Sequence, residues 1–412
     1  DVCSSDLYAG VIAVPAYPPR PNSSLSRLLA IARDCHPKVA LTTEKVFSNM
    51  ERQLAQIPEL QNLEWFATDT LDEDDNSDQW QPPEISSESL AFLQYTSGST
   101  AAPKGVAIAH SNLIHNLESI YQCFQHGGES CGFSWLPLYH DMGLIGGVLQ
   151  PLYGGFPITL MSPLMFLQKP LRWLEAISRE RVTTSGGPNF AYDLCLRRIT
   201  PEQMESLDLS CWDLAFNGAE PINYRVLERF AAVFAVCGFR REAFYPCYGM
   251  AETTLIVSGG DKAAPPVLSP PREGLFEDTG KGRHGEASLR LPLPASPRLL
   301  LVGCGKSIQG IRVAIAHPEK LIPLPPGEVG EIWVSGPSVA KGYWGKPEET
   351  EKTFSAFLAV EGEESVRGPF LRTGDLGFLD ETGELFVTGR LKDVIIINGR
   401  NYYPQDFEWV VE

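Results

Sequence analysis

Tyr95-Thr96-Ser97-Gly98-Ser99-Thr100-Ala101-Ala102-Pro103-Lys104-Gly105 follows an apolar run, Leu90-Ala91-Phe92-Leu93, that reads as a buried strand. Serine and threonine hydroxyls, two glycines and a lysine are then concentrated in one turn. Phosphate oxygens are held by inward-pointing backbone N–H groups, hydroxyl donors and a positive charge, and this turn offers all three. The lysine of a Walker loop follows glycine and precedes Ser or Thr, whereas Lys104 follows Pro103, so a different nucleotide fold is implied. The plain alternative is a polar surface loop between two strands.

Further motifs lie downstream in a fixed order. They are Trp135-Leu136-Pro137-Leu138-Tyr139-His140-Asp141-Met142-Gly143-Leu144, Asn217-Gly218-Ala219-Glu220-Pro221, Tyr248-Gly249-Met250-Ala251-Glu252-Thr253-Thr254, Gly330-Glu331-Ile332-Trp333-Val334-Ser335-Gly336-Pro337, Leu371-Arg372-Thr373-Gly374-Asp375-Leu376 and Gly389-Arg390-Leu391-Lys392-Asp393. From about Leu7 to the last residue, the chain resembles the superfamily of adenylate-forming enzymes. Within it the chain looks most like the fatty acyl-AMP ligases, through Lys392-Asp393-Val394-Ile395-Ile396-Ile397-Asn398-Gly399-Arg400-Asn401-Tyr402-Tyr403-Pro404-Gln405-Asp406.

Composition sets limits. A chain of 412 residues exceeds one simple core, so two or more subdomains are expected. Lys and Arg number 34 against 51 Asp and Glu, a net charge of −17 that argues against a nucleic-acid binder. ATP is anionic too, so cations must be concentrated locally. Nine cysteines without a CxxC pair read as reduced cytoplasmic thiols. No apolar run is long enough to span a membrane.

The pattern along the chain is that of a doubly wound α/β protein. Residues 23–35 read as a helix ended by Pro37 and 38–43 as a strand, while residues 1–6 show neither pattern. Residues 7–15 read as a helix end, a glycine break and a buried strand. Residues 69–78 hold six acidic residues and read as a solvated loop. After the strand at 106–109, Ser111 is placed to cap a helix with Leu113, Leu117, Ile120, Tyr121 and Phe124 on one face. Strand–helix alternation continues to about Val257. Residues 259–298 carry seven prolines and weak periodicity, the mark of an insertion or excursion. Short apolar runs between Gly/Pro turns at 299–388 suggest a small β-barrel subdomain. The expected division is therefore α/β nucleotide- and acyl-binding subdomains at 1–298, the barrel at 299–388, and a hinge with the start of a mobile C-terminal domain at 389–412. Both ends read as cut, and the resemblance implies a further domain carrying a catalytic lysine. On that reading these 412 residues adenylate poorly.

Attack of a carboxylate on the α-phosphorus of ATP builds charge on phosphoryl oxygens, so positioning and electrostatic stabilisation dominate. Thr96, Ser97, Gly98, Ser99, Thr100 and Lys104 are the candidates for the phosphates, with Ala101 where relatives usually have glycine. Glu252 is the candidate Mg²⁺ ligand, since this hard cation takes one or two protein carboxylates; the plain reading is a glutamate favoured by a helix dipole. Tyr248 offers a ring face for adenine, or is a core tyrosine. The resemblance places adenine beside Asn217, Gly218, Ala219 and Glu220, and along Tyr248, Gly249, Met250 and Ala251. Asp375 suits two ribose hydroxyls and Arg390 a fixed fork for ribose or phosphate oxygens; singly, they read as a turn residue and a surface ion pair. The resemblance puts Lys392 at the hinge, His140 beside the carboxylate or acyl channel, and Gly187 and Asn189, within Gly186-Gly187-Pro188-Asn189-Phe190, beside the acyl site. A lone histidine such as His140 is otherwise structural; His110 and His115 show no metal-ligand spacing.

The resemblance implies that a fatty acid and ATP–Mg²⁺ give acyl adenylate and pyrophosphate, with the acyl group passing to a holo acyl carrier protein or a carrier domain of a polyketide or nonribosomal peptide synthase. An acyl-CoA synthetase and a catalytically incomplete binding fragment are the competing readings. Residues 259–298 would correspond to an insertion that restricts domain movement, which deletion followed by an acyl-CoA assay tests.

Overall fold

The computed structural model describes residues 2–17, 24–70, 81–96, 103–268, 300–359, 368–393, 395–397 and 400–402. Its central element is a seven-stranded sheet in the order Lys306–Ser307, Ile256–Gly259, Phe244–Gly249, Leu214–Asn217, Thr184–Gly187, Gly132–Ser134 and Ile158–Leu160. The last five of these pair in parallel; Ile256–Gly259 and Lys306–Ser307 add antiparallel. Parallel strands need crossover helices, which bury both faces. Helices Leu171–Glu180, Asn189–Arg198 and Tyr224–Phe234 cover one face, and Ile120 and Phe124, at the end of helix His110–Cys123, pack with Leu214 and Tyr245 on the other. Trp173, Tyr192, Trp212, Phe230, Phe234 and Phe244 meet on the first face in one buried aromatic cluster. Trp173 and Trp212 stand edge-on at 5.2 Å. Truncating either to alanine removes about 3–5 kcal/mol by loss of burial and the cavity left behind.

Register decides what reaches the carboxyl ends of these strands. Gly187 pairs with Asn217 and Asn217 with Pro246, so the segments after Asn217 and Pro246 emerge side by side. Ligands in open α/β sheets bind at that edge. Close packing here requires glycine: a Cβ on Gly186 would lie 2.2 Å from the carbonyl oxygen of Phe216.

A second, antiparallel sheet runs Arg312–Ala316, Gly330–Ser335, Leu371–Leu379 and Leu385–Arg390. It pairs Asp375 with Arg390 across neighbouring strands. The phosphate-loop motif joins an antiparallel hairpin, Leu90–Tyr95 with Gly105–Ala109, closed by the Tyr95–Gly105 pair. The Tyr95 ring lies 2.9 Å from where a Gly105 Cβ would sit.

Some local readings are corrected. Residues Val2–Ala9 form a helix, although the first six show no pattern in the sequence. Between Gly10 and Pro15 only Ala13 makes a strand-like bridge, to Phe92, and Val11 and Ile12 are exposed. Ser111 lies inside helix His110–Cys123; Ala109 is its cap position, and the Asn112 amide oxygen accepts from Ala109 N at 3.0 Å. Strand Ile256–Gly259 runs into the stretch read as an excursion, and Val267–Leu268 pairs with Leu301–Val302. The intervening 269–299 lie outside the described residues, as do residues 403–412 at the start of the expected mobile domain. Among the described residues no helix is long and apolar enough to cross a membrane. Cys35, Cys123, Cys131, Cys195, Cys211, Cys237, Cys247 and Cys304 are free thiols.

Candidate active site

Several chain segments converge on one cavity of about 800 Å³. The hairpin brings Thr96 and Lys104, whose backbones meet through Thr96 N and Lys104 O at 3.3 Å. The Lys104 ammonium pairs with Glu349 and lies 4.7 Å from the centre of the Tyr343 ring. Both partners of the ion pair are a third or more exposed, so it contributes about 1 kcal/mol or less and yields readily to a phosphate. Ser97, Gly98, Ser99 and Thr100 lie outside the described residues.

Strand Phe244–Gly249 and the 3₁₀ turn Ala251–Thr253 supply Tyr248, Gly249, Met250, Ala251 and Glu252, all on the cavity wall. Glu252 is 9% exposed and accepts a hydrogen bond from the Tyr343 hydroxyl at 2.9 Å. Burial raises its pKa; Asp141 and Asp375 push the same way, and the Tyr343 hydrogen bond only partly offsets them. Three carboxylates thus face a common space. Among the described residues no group of three His, Cys, Asp or Glu side chains is placed to hold a metal unaided. A single carboxylate completed by substrate phosphates is what Mg²⁺ ordinarily takes, and Glu252 fits that need.

The turn carrying Glu252 is held by residues that the sequence reading passed over. Asn116, fully buried, donates to Ile256 O at 2.9 Å and to Ser338 Oγ at 3.0 Å, and accepts from Ile256 N at 3.1 Å. Asn112 donates to Pro337 O at 2.7 Å and Val339 O at 3.0 Å. Two asparagines four apart on the apolar face of one helix are the signal that could have found them, since buried amides require partners. Tyr343, which touches both Lys104 and Glu252, carries no comparable local signal.

Asp375 and Tyr248 are joined directly, the tyrosine hydroxyl donating to Asp375 Oδ2 at 2.8 Å. The Arg390 Nε lies 3.2 Å from Oδ1, across the paired strands. Burial raises the Asp375 pKa despite Tyr248, Arg390 and Lys392, all of which favour its charged form. Lys392 is exposed in the turn Leu391–Asp393 and borders the cavity.

His140 precedes the π-helix Met142–Leu149. Asp141 caps that helix by accepting from Met142 N at 2.6 Å, and its same oxygen lies 2.6 Å from His140 Nδ1. Burial opposes a charge on His140, but the hydrogen bond and charge of Asp141 prevail and raise its pKa. Gly218 and Ala219 also line the cavity. Ala219 has φ of +69°, a left-handed turn that carries the chain away from the strand.

Gly187, Asn189, Asn217 and Glu220 are close by but do not line the cavity. A Cβ on Gly187 would meet the Trp135 ring at 2.7 Å. The Asn189 side-chain oxygen Oδ1 accepts from Asn223 N at 3.2 Å and Asn217 Nδ2 at 3.4 Å. Glu220 accepts from Phe190 N at 2.6 Å, at the start of helix Asn189–Arg198. The Asn189 and Glu220 side chains thus tie together the segments that follow strands Thr184–Gly187 and Leu214–Asn217.

Beyond His140 the cavity becomes apolar, walled by Ile120, Phe124, Phe133, Phe156, Phe216 and Leu255. His126 is buried there, and burial together with the Lys262 charge lowers its pKa to about 4. The unfolded chain then binds the proton first as pH falls from 6.5, so stability present above that pH is lost toward pH 4. The expected loss is about 3 kcal/mol at most. Melting curves across this window check it: His126→Asn should flatten the decline, and an unchanged slope refutes the assignment.

The profile of the family described as AMP-binding enzyme matches residues 7–344. The chain is 48% identical over 416 residues to the medium-chain-fatty-acid–[acyl-carrier-protein] ligase JamA of Moorena producens, covering 98% of this chain and 67% of that protein. It is 44% identical to the similarly named TtuA of Teredinibacter turnerae, covering 81% of this chain and only 51% of that protein. A fatty acyl-adenylate ligase from L. pneumophila, solved in complex with acyl adenylate and pyrophosphate, superposes with a TM-score of 0.84 at 45% identity. That match covers 99% of this chain and 68% of the solved one.

Proposed function

We propose that this chain, which belongs to the AMP-binding enzyme family, carries the site where a fatty acid and ATP become fatty acyl-AMP and pyrophosphate. In the complete protein the acyl group then passes to the phosphopantetheine thiol of a holo acyl carrier protein, releasing AMP. One observation carries the reading: a single cavity joins a polar end holding Lys104, His140, Glu252, Asp375 and Arg390 to an apolar end fit for an alkyl chain. The names of JamA and TtuA, at 48% and 44% identity, favour the carrier protein over coenzyme A, the acceptor named for other relatives at 39%. Free cysteines and the lack of a membrane-spanning helix among the described residues agree with a cytoplasmic place of action.

The roles follow from position. Asp375 accepts from the ribose hydroxyls, with Arg390 and Tyr248 holding its carboxylate in place. Gly218, Ala219 and the Tyr248–Ala251 strand end form a thin wall against which adenine lies. Thr96 and Lys104 face the phosphates. Mg²⁺ would be held by Glu252 and would neutralise charge on the phosphate oxygens. His140, whose positive charge Asp141 favours, sits where the incoming carboxylate meets the boundary between polar and apolar ends. Orientation and preorganised charge then lower the barrier to attack on the α-phosphorus. Lys392, at the cavity mouth, is the proposed hinge.

The deciding experiment offers the full-length protein mixed fatty acids, ATP, coenzyme A and a holo carrier, with products read by mass spectrometry. Acyl-AMP and acylated carrier are expected. Acyl-CoA with an untouched carrier would overturn the acceptor, and no pyrophosphate from any fatty acid would overturn the reaction. The channel itself is tested at Gly146, where a Cβ would meet nothing closer than Leu255 Cδ2 at 3.8 Å. Gly146→Phe should lower kcat/KM for long acids by roughly tenfold or more, the scale of a few displaced methylenes, and spare short ones. Equal loss for all lengths would place Gly146 away from the acyl path.

A further inference from the structure

The apolar end of the cavity is not apolar throughout. The π-helix Met142–Leu149 and its continuation Gln150–Gly154 run alongside it, from Asp141 at the polar end to Gln150 and Pro151 at the other. By helical rise the two ends are on the order of 10 Å apart, the reach of a medium-length acyl chain. Three polar side chains line the cavity there: His126, Gln150 and Thr184. Gln150 is 1% exposed and His126 8%.

Their mutual hydrogen bonds are long and incomplete. Gln150 Nε2 lies 3.4 Å from His126 Nδ1, and Thr184 Oγ1 lies 3.3 Å from His126 Nε2. The buried Gln150 Oε1 has no partner among the described residues. Turning the amide over would leave the nitrogen unpaired instead, so one polar atom of Gln150 lacks a partner in either orientation. A buried amide atom left unpaired carries a full desolvation penalty, and native structures rarely keep one without a reason. Phe124 and Phe156 pack on the His126 ring at 5.5 and 4.6 Å, fixing its position.

We propose that this end of the cavity selects carboxylic acids whose far terminus bears a neutral hydroxyl group, with Gln150 as the specificity-determining residue and His126 and Thr184 completing the pocket. A hydroxyl both donates and accepts, so it pairs with Gln150 in either amide orientation, whereas a methyl end leaves the amide unpaired. Charged termini are disfavoured. A terminal ammonium would meet the positive field of Lys262, which already disfavours protonation of His126. A terminal carboxylate would be desolvated among the apolar walls, a cost that Lys262, already paired with Asp213 at 2.7 Å, offsets only in part.

This inference rests on the acyl-adenylate reading of the same cavity, and the experiment separates the two. Pyrophosphate release by the full-length protein is measured with saturated acids of graded length and with terminal-hydroxyl acids of equal heavy-atom number. At the best-fitting length the hydroxylated acid is expected to have a kcat/KM about ten- to a hundredfold higher. Gln150→Leu should abolish or reverse that preference, read as the ratio of the two kcat/KM values. Equal or better use of plain acids at every length overturns the inference and leaves acyl adenylation standing, as does a preference that survives Gln150→Leu. Release of no pyrophosphate with any acid overturns both. Should Gln150→Leu fail to fold, the wild-type ratio alone decides.

Discussion

Glu252→Gln is expected to lower acyl-adenylate formation by about 10²–10³-fold while leaving the protein at least as stable as the wild type. The side chain is 9% exposed, and its carboxylate shares a common space with Asp141 and Asp375. Glutamine retains an oxygen to accept from the Tyr343 hydroxyl, so the 2.9 Å hydrogen bond survives. What disappears is a negative charge, the one property a phosphate-bridging cation needs. A carboxyl whose folded pKa is raised favours the unfolded state once pH exceeds its ordinary value, because the unfolded chain releases the proton more easily. Removing it therefore stabilises at neutral pH, and the gap in Tm between variant and wild type should close as pH is lowered through the carboxylate range. Pyrophosphate exchange and melting curves on the same samples check both halves. Unimpaired exchange would remove Glu252 from the chemistry.

Asp375→Ala should raise the KM for ATP by about 10²-fold, the scale of two hydrogen bonds to a charged acceptor. Here the alternative is a purely structural aspartate, held by Tyr248 at 2.8 Å and Arg390 at 3.2 Å. The two roles separate with 2′-deoxy-ATP. If Asp375 reads the ribose, the wild type discriminates against the deoxy nucleotide by roughly tenfold and the variant does not. If it only braces the strands, the variant melts lower and discrimination persists. That second outcome would end the ribose assignment.

The features legible along the chain were those written in neighbouring residues. Strand Gly105–Ala109 and the helix after it follow from apolar spacing, and the strand–turn–helix at Thr184–Arg198 from Gly186-Gly187-Pro188. Where local cues competed, the wrong one could be read. Ser111 is an ordinary cap residue, yet the chain starts its helix earlier because Asn112 reaches back to Ala109 N. Asn116 looks like a polar interruption of an apolar face until its partners appear at Ile256 and Ser338. His126 and Gln150, 24 residues apart, give no sign that they meet.

Residue type and spacing marked the hydroxyl- and glycine-rich turn after Tyr95 and the alternating α/β plan, because each is expressed within a few residues, while the family resemblance pointed to Glu252 and Asp375, which both line the cavity. Folding alone decided that Tyr248 would clasp Asp375 across 127 residues and that Tyr343 would clasp Glu252 across 91. It also set Gly187, Asn189, Asn217 and Glu220 close to the cavity rather than on its wall. Such pairings are fixed by strand register and by the close packing of distant segments, and no short stretch of chain encodes a register that its partner strand must share.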